Sequence, residues 1–281
     1  MIINVIADSF IDIIKLLPFL FVTYLVMEYL EHKAGDRLQS VIRSAGKGGP
    51  LIGGILGIFP QCGFSAAASS LYAGSVITMG TLLAVFLSTS DEMLPILISE
   101  NVGMTMIVKV LTVKVVVAAA AGFAVDFIAR KGEKDMQIGH LCEQHHCHCE
   151  NGIWKSTLHH TVEVFVYIFL VSLVLNLLIA WVGEDILGGV ILNRPIIGAM
   201  ITGLVGLIPN CAASVIITQL YLGGVLSAGA MMAGLLSGTG VGLLVLFHVN
   251  DNRRENLRFV SLLYVTGVVA GIVVEMLGIT F

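Results

Sequence analysis

A short proline-amide-cysteine segment occurs twice in this chain, with an offset of 149 residues. Residues 59–65 read FPQCGFS, residues 208–214 read IPNCAAS, and the same offset aligns Tyr72 with Tyr221. Self-similarity at one fixed offset indicates a duplicated unit. Because each copy interrupts a long apolar tract at an equivalent position, the pattern is typical of a transporter whose binding site lies between two related halves.

The composition favours a membrane protein. Hydrophobic residues make up 57% of the chain and charged residues 12%, whereas about a quarter of a soluble domain is charged. There is no basic patch with interleaved aromatic residues, so a nucleic-acid partner is not expected. Of the five cysteines, two lie in apolar tracts and three in one polar loop. This spacing is a poor disulfide framework, and metal or redox chemistry explains it better.

The polar connections between the apolar tracts predict the orientation of the chain. Basic residues concentrate at 33–47, 130–155 and 253–258, whereas the two remaining connections hold only Arg194. Because lysine and arginine accumulate on the cytoplasmic side of membranes, the three basic connections are predicted to lie inside. The apolar tracts run over residues 9–30, 50–73, 75–98, 104–129, 157–182, 195–222, 224–249 and 259–280.

The same charge pattern predicts that the two halves are inverted in the membrane. The connection after the first tract is basic, and its counterpart after residue 182 is acidic. Inversion requires an odd number of crossings in each half, yet residues 50–98 are too few for three helices of about 20 residues. A re-entrant hairpin at 50–73 followed by one spanning helix satisfies both conditions. We expect the second half to repeat this arrangement at 195–222.

The predicted fold class is therefore an all-α integral membrane protein built from two inverted-topology repeats. Each repeat has three spanning helices plus a re-entrant or broken helical hairpin, which gives ten hydrophobic segments in all. Residues 1–130 form the first repeat, 131–156 a cytoplasmic His/Cys-rich loop, and 157–281 the second repeat. We expect the protein to lie in a bacterial cytoplasmic (inner) membrane with both termini outside.

Helix breaks are predicted in the third tract of each half. The stretch STSDE at 88–92 and the glycine-rich stretch SGTG at 237–240 both interrupt apolar sequence. Unwound backbone at membrane depth is tolerated only where protein or a wet cavity satisfies its polar groups. We therefore expect the two breaks and the two hairpin tips to converge near the midplane. The residues predicted to break the helices are Pro60, Pro209, Ser90, Gly238 and Gly240.

The hairpin tips carry the first candidate ligands. Cys62 and Cys211 each follow a proline by two residues, and together they offer two sulfurs to one ion. The alternative interpretation is that cysteine is simply a small residue that is easily buried where helices pack. Its recurrence in both halves favours a binding role. Neutral oxygen ligands nearby are predicted from Gln61, Asn210, Ser65 and Ser214.

Charged side chains inside the apolar tracts are a second set of candidates. Asp91 and Glu92 lie well inside a tract, where a charge costs about 3 kcal/mol even by low estimates. They can form a structural ion pair with Lys109, or they can bind metal or carry protons with Lys114 as a replaceable counter-charge. Three other polar residues are expected to be solvated near the membrane interfaces: Asp126, His248 and Glu275.

The central loop is rich in metal-binding residue types. Imidazole and thiolate suit zinc, copper, cobalt, nickel or cadmium better than calcium or magnesium. We predict a flexible cytoplasmic segment that gathers a zinc-like metal; the alternative is a linker that binds metal adventitiously. Beyond it, His159, His160 and Glu163 share one helix face and are a candidate site of metal entry. The loop residues are His140, Cys142, His145, His146, Cys147, His148 and Cys149.

The chain resembles a known family in the two hairpin tips, the STSDEMLP break and the His/Cys loop. This is a bacterial family of ten-transmembrane heavy-metal exporters, also labelled arsenic efflux proteins or manganese transporters. The resemblance covers nearly the whole chain and implies export of a metal or metalloid. Manganese prefers oxygen ligands, whereas cysteines suit a softer ion. A borderline divalent metal therefore fits these residues better.

We predict a secondary exporter, not an enzyme, of a transition or heavy-metal cation of the Mn/Zn/Co/Cd class. The chain has no P-loop, so ATP-driven transport by this chain alone is not expected. Proton antiport is the predicted energy source. The expected partners are the metal or metalloid ion, protons and lipid, with a homo-oligomer left open and no permanently bound cofactor. One alternative is an arsenite or organoarsenical permease. Another is a thiol-disulfide electron carrier, which needs the Cα atoms of the two cysteines within about 4.4–6.8 Å.

Overall fold

The computed structural model describes residues 48–58, 62–90, 93–129 and 195–281, with single positions between 17 and 25 and between 158 and 173. Ten α-helices have described bounds, the single positions are helical as well, and none of the described residues lies in a β-strand. The prediction of an all-α protein is confirmed at this level. The helices are α1 Gly49–Leu56, α2 Cys62–Ala73, α3 Met79–Ser88, α4 Met93–Ser99, α5 Met104–Ala129, α6 Pro195–Gly206, α7 Cys211–Leu222, α8 Ala228–Leu236, α9 Gly242–Val249 and α10 Arg253–Met276.

Helix length separates the segments that can cross a membrane from those that cannot. Within the described residues, the segments Met79–Ser99, Met104–Ile128 and Arg253–Met276 are long and apolar enough to span it. The first of these contains α3 and α4. By contrast, α1 has 8 residues and α2 has 12, which gives about 12 and 18 Å at 1.5 Å per residue. Neither reaches across a hydrocarbon core of about 30 Å.

The helices after residue 195 follow the order and spacing of those before residue 130. Helices α2 and α7 begin at Cys62 and Cys211, and α4 and α9 begin at Met93 and Gly242, each pair 149 residues apart. Helices α1–α5 form the first group and α6–α10 the second. Packing follows the same scheme in both groups. Helix α3 packs most extensively against α5 and α1, as α8 does against α10 and α6.

Helices α3 and α8 form the centre of the structure. Every residue of α3 from Gly80 onward is buried, and so is every residue of α8. The longer helices α5 and α10 cover them, and most of the residues of α5 and α10 are exposed or half-buried rather than buried, as expected of surfaces that face lipid. The two groups of helices meet at an edge-to-face contact between Phe86 and Phe259, with ring centroids 5.0 Å apart.

A carboxylate from the next long helix holds the start of each central helix. The Gly80 backbone N–H and the Thr78 hydroxyl donate to Asp126, at 2.9 and 2.7 Å. In the other group the Gly229 N–H donates to Glu275 at 2.9 Å. The prediction that Asp126 is solvated is wrong, because it is only 6% exposed. These N–H groups lack helical acceptors at a helix start, and a neighbouring carboxylate supplies one.

The two groups also meet where α2 packs against α9. A small apolar cluster of α2 and α9 continues onto Phe165 and Phe169, which belong to the tract predicted at 157–182. His248 of α9 is half-buried and stacks on Tyr167 of that tract, with centroids 4.4 Å apart. Contrary to the expectation of a solvated histidine, His248 therefore packs against an aromatic side chain.

Candidate functional site

Both central helices end inside the protein and leave carbonyl groups without their helical donors. In the first group, the N–H of Met93 bonds the Ser90 carbonyl at 3.0 Å instead of the Thr89 carbonyl four residues before it. In the second group, the N–H of Thr239 bonds the Gly206 carbonyl at 3.3 Å instead of the Leu235 carbonyl. The gaps between α3 and α4 and between α8 and α9 are the two interruptions. Each interruption therefore frees a carbonyl at a helix C-terminus.

Lys114 of α5 connects the two interruptions. Its side chain is 1% exposed, and its ammonium donates to the carbonyl oxygen of Thr89 and, at 3.2 Å, to that of Leu235. Helix C-termini carry a partial negative charge, so an ammonium between two of them is stabilised by both. Lys109, one turn earlier on α5, is exposed.

Helices α1 and α6 end against the interruptions. A Cβ atom added to Gly57, just after α1, would overlap the hydroxyl of Ser88 at the end of α3. A Cβ added to Gly206, the last residue of α6, would overlap the carbonyl of Gly234 in α8. Close backbone approach of this kind requires glycine. The ends of α1 and α6 therefore lie at the ends of α3 and α8.

Helix α2 meets the second interruption from the other side. A Cβ on Gly242, the first residue of α9, would lie 2.6 Å from the Cβ of Ser65, which is fully buried. The hydroxyl of Ser69 donates to the Gly242 carbonyl at 2.8 Å. The start of α2, where Cys62 lies, is thus brought near the interruption of α8 and α9.

The candidate cysteines occupy equivalent helix positions. Cys62 is the first residue of α2 and Cys211 the first residue of α7. The first N–H groups of a helix have no intrahelical acceptor and carry a partial positive charge, which favours negatively charged groups. Pro209 and Asn210 directly precede α7 and are half-buried. Ser214, one turn into α7, is half-buried as well.

Three of the predicted break residues, Ser90, Gly238 and Gly240, lie in the interruptions. Ser90 is 1% exposed, and its carbonyl accepts the first N–H groups of α4, from Met93 at 3.0 Å and Leu94 at 3.4 Å. Gly238 is half-buried. Gly240 is buried and has φ of +48°, a left-handed conformation that favours glycine. The backbone at Gly240 thereby turns from the end of α8 into the start of α9.

Several predicted site residues lie outside the described residues and stay predictions. Among the described residues, no group of three or more His, Cys, Asp or Glu side chains is placed to hold a metal ion. The predicted residues that the structure does not describe are Pro60, Gln61, Asp91, Glu92, His140, Cys142, His145, His146, Cys147, His148, Cys149, His159, His160 and Glu163.

The paired carboxylates Asp126 and Glu275 were not predicted as a structural pair, although the sequence contains the signal. The offset of 149 that aligns the two cysteines also aligns Asp126 with Glu275 and Gly80 with Gly229. In both groups, 46 residues separate the glycine from the carboxylate that accepts its N–H. Applying the offset to every charged residue in the apolar tracts finds this pair.

Comparison with known proteins identifies the family. Residues 1–188 match the model of a family described as "Putative, 10TM heavy-metal exporter". The chain belongs to this family. The resemblance noted from the sequence is confirmed, and with its apolar helices the protein is a multi-pass membrane protein of a transporter family. The searches of curated proteins and of solved structures returned no significant match.

Proposed function

We propose that the protein exports a transition or heavy-metal cation of the Mn/Zn/Co/Cd class across the bacterial cytoplasmic membrane, in exchange for protons. The observation that carries this proposal is the meeting of two interrupted helices with hairpin helix ends, in a member of an exporter family. Broken helices at equivalent positions of two halves are where secondary transporters bind their substrate.

The proposed substrate site uses side chains from both hairpin tips. Cys62 and Cys211 supply sulfur, and Gln61 and Asn210 supply amide oxygen. This is supported by the positions of both cysteines at helix starts 149 residues apart. Mixed sulfur and oxygen ligands suit a borderline divalent ion. The hydroxyls of Ser65 and Ser214 are further ligands in this proposal, and Asp91 or Glu92 binds the metal or carries the exchanged proton.

We propose alternating access by two inverted repeats, with re-entrant hairpins formed by α1–α2 and α6–α7. The shared helix order and the matched Gly80–Asp126 and Gly229–Glu275 hydrogen bonds support a repeat. The short helices α1 and α2 support a re-entrant hairpin. The basic connections place the His/Cys loop in the cytoplasm, where it gathers metal that enters near His159, His160 and Glu163. The halves then rock about the central site.

A second substrate class is favoured by the two cysteines, which begin helices at equivalent positions. Trivalent arsenic is thiophilic, and paired thiols would bind it well. An arsenite or organoarsenical permease is therefore the second candidate.

The test is the element content of cells that express the protein, measured by mass spectrometry after challenge with manganese, zinc, cobalt, cadmium or arsenite. The wild type is compared with a Cys62→Ser/Cys211→Ser variant. The matched control changes the three loop cysteines Cys142, Cys147 and Cys149 to serine. We call these the tip variant (Cys62→Ser/Cys211→Ser) and the loop variant (serine at Cys142, Cys147 and Cys149). We expect cells with the wild type to be depleted of one metal selectively and cells with the tip variant to lose this depletion. The loop variant should keep export at high metal concentration.

Each other outcome of this experiment has a defined meaning. Depletion of arsenic alone would select the permease. Equal accumulation of every element in cells that express the wild-type protein and in cells that lack it would remove the exporter proposal. A thiol-labelling shift that depends on oxidation and disappears in the tip variant would then favour the thiol-disulfide carrier.

A further inference from the structure

We propose that Lys114 is a tethered cation that fills a monovalent-cation position between the two helix interruptions. Its ammonium takes the place that a sodium ion holds in transporters driven by sodium. Transport by the wild-type protein therefore needs no sodium. This inference rests on the contacts of Lys114, and its main test does not depend on which metal is exported.

The two carbonyl oxygen atoms that contact the ammonium are of the kind that coordinates a small cation. Thr89 and Leu235 each present a backbone carbonyl at the C-terminal end of a half-helix. Unwound carbonyls and half-helix C-termini are the groups that coordinate coupling ions in transporters with broken helices. Both carbonyls are free of their usual helical donors, because Met93 and Thr239 donate elsewhere. A hydrogen-bond donor or a cation is needed to satisfy them in a buried place, and the ammonium of Lys114 is both.

The comparison with the other group of helices supports a specific role for this lysine. The offset of 149 aligns Lys114 with Leu263 of α10, which is fully buried in the apolar core. One ammonium thus serves the C-termini of both α3 and α8, and the equivalent position supplies only packing. The ammonium joins the halves at a single cation position rather than at two equivalent ones.

This arrangement predicts what happens when the ammonium is removed. In Lys114→Ala and Lys114→Ser the two carbonyls remain and a space opens beside them. A sodium ion from solution then enters and restores the positive charge. In Lys114→Leu the side chain fills the space, as Leu263 does at the equivalent position, so that no ion enters. Lys109→Ala removes an exposed lysine from the same helix and is the matched control.

The experiment measures the melting temperature of each purified full-length variant in sodium, potassium and choline chloride at equal ionic strength. A ligand at about ten times its dissociation constant raises the melting temperature of a protein of this size by roughly 3–5 °C. We expect this rise in sodium over choline for Lys114→Ala and Lys114→Ser. We expect no difference for the wild type, Lys114→Leu or Lys109→Ala. Metal export by the alanine variant should likewise depend on sodium.

Several results would overturn the inference. One is an equal melting temperature of Lys114→Ala in sodium, potassium and choline. Another is a sodium effect in Lys114→Leu or in the wild type as large as in the alanine variant. If the Lys114→Ala and Lys114→Ser variants accumulate poorly in membranes, the yield of folded protein after extraction and purification is compared between sodium chloride and choline chloride. Recovery of folded protein in sodium alone supports the inference, and failure in every salt contradicts it. A sodium effect on the melting of Lys114→Ala, combined with no metal export by the wild type, would leave the tethered cation standing and remove the exporter proposal.

Discussion

Replacing Asp126 by alanine should destabilise the protein more than the matching replacement of Glu275. Asp126 is 6% exposed and accepts two hydrogen bonds, from the Gly80 N–H and the Thr78 hydroxyl. A hydrogen bond to a charged group contributes about 1.5–3 kcal/mol, and a donor left unpaired in a buried place costs a similar amount. The loss of both bonds at the lower figure amounts to about 3 kcal/mol.

Glu275 provides the matched comparison because it occupies the equivalent position in the second group. It is half-buried, and it accepts the Gly229 N–H at 2.9 Å. Water can replace part of this interaction, so Glu275→Ala should cost about 1.5 kcal/mol. With roughly 2–4 °C per kcal/mol for a protein of this size, Asp126→Ala should lower the melting temperature by about 6–12 °C and Glu275→Ala by about 3–6 °C.

The assay is thermal unfolding of the detergent-purified protein. The quantity measured is the fraction of protein that remains monodisperse after heating to each temperature. Asp126→Asn is the intermediate variant, because its amide oxygen still accepts one of the two donors. The expected order of melting temperature is wild type, then Asp126→Asn, then Asp126→Ala. Either of two results would refute the assignment of Asp126 as the acceptor that holds the start of α3. One is a melting temperature of Asp126→Ala within 1 °C of the wild type. The other is a melting temperature of Asp126→Ala that is not below those of Asp126→Asn and Glu275→Ala.

Two further substitutions test the contacts between the two groups of helices. Gly242→Ala should cost about 1–3 kcal/mol of stability through overpacking, because the new Cβ would lie 2.6 Å from the Ser65 Cβ. Gly103 has open space around it, so Gly103→Ala is the control and should change the melting temperature little. Equal effects of the two substitutions would contradict the packing of α2 against α9. Tyr72→Phe should cost about 1.5 kcal/mol or more, because the Tyr72 hydroxyl donates to Glu255 at the start of α10. Unfolding experiments should find Glu255→Gln milder, since its amide oxygen still accepts, and no loss of stability in Tyr72→Phe would argue against this hydrogen bond.

The duplicated segment made much of the central architecture predictable from the sequence. The stretch STSDE was predicted to interrupt a helix, and in the structure α3 ends at Ser88 and α4 begins at Met93. Polar and glycine-rich residues inside an apolar tract carry this signal because they compete for backbone hydrogen bonds or free the backbone.

Side-chain partners were less predictable, because they depend on packing between helices. Asp126 was expected in solvent, since its distance from the helix end places it near the membrane interface. In the structure the start of α3 is packed against α5, so the Gly80 N–H lies within reach of that carboxylate. Lys114 was predicted to be a replaceable counter-charge to Asp91 or Glu92, and this stays a prediction because both carboxylates lie outside the described residues. The carbonyls of Thr89 and Leu235 are acceptors that no side-chain pattern indicates.

The central claim is that metal crosses the membrane at a site formed by Cys62 and Cys211. The most direct measurement is metal flux in liposomes that contain only the purified protein, with and without an imposed proton gradient. Serine replacements of both cysteines and of the three loop cysteines provide the comparison. The account predicts flux of a borderline divalent metal that the proton gradient accelerates, that the tip variant reduces at least tenfold, and that the loop variant retains at saturating metal. Equal flux by the wild type and the tip variant would contradict it.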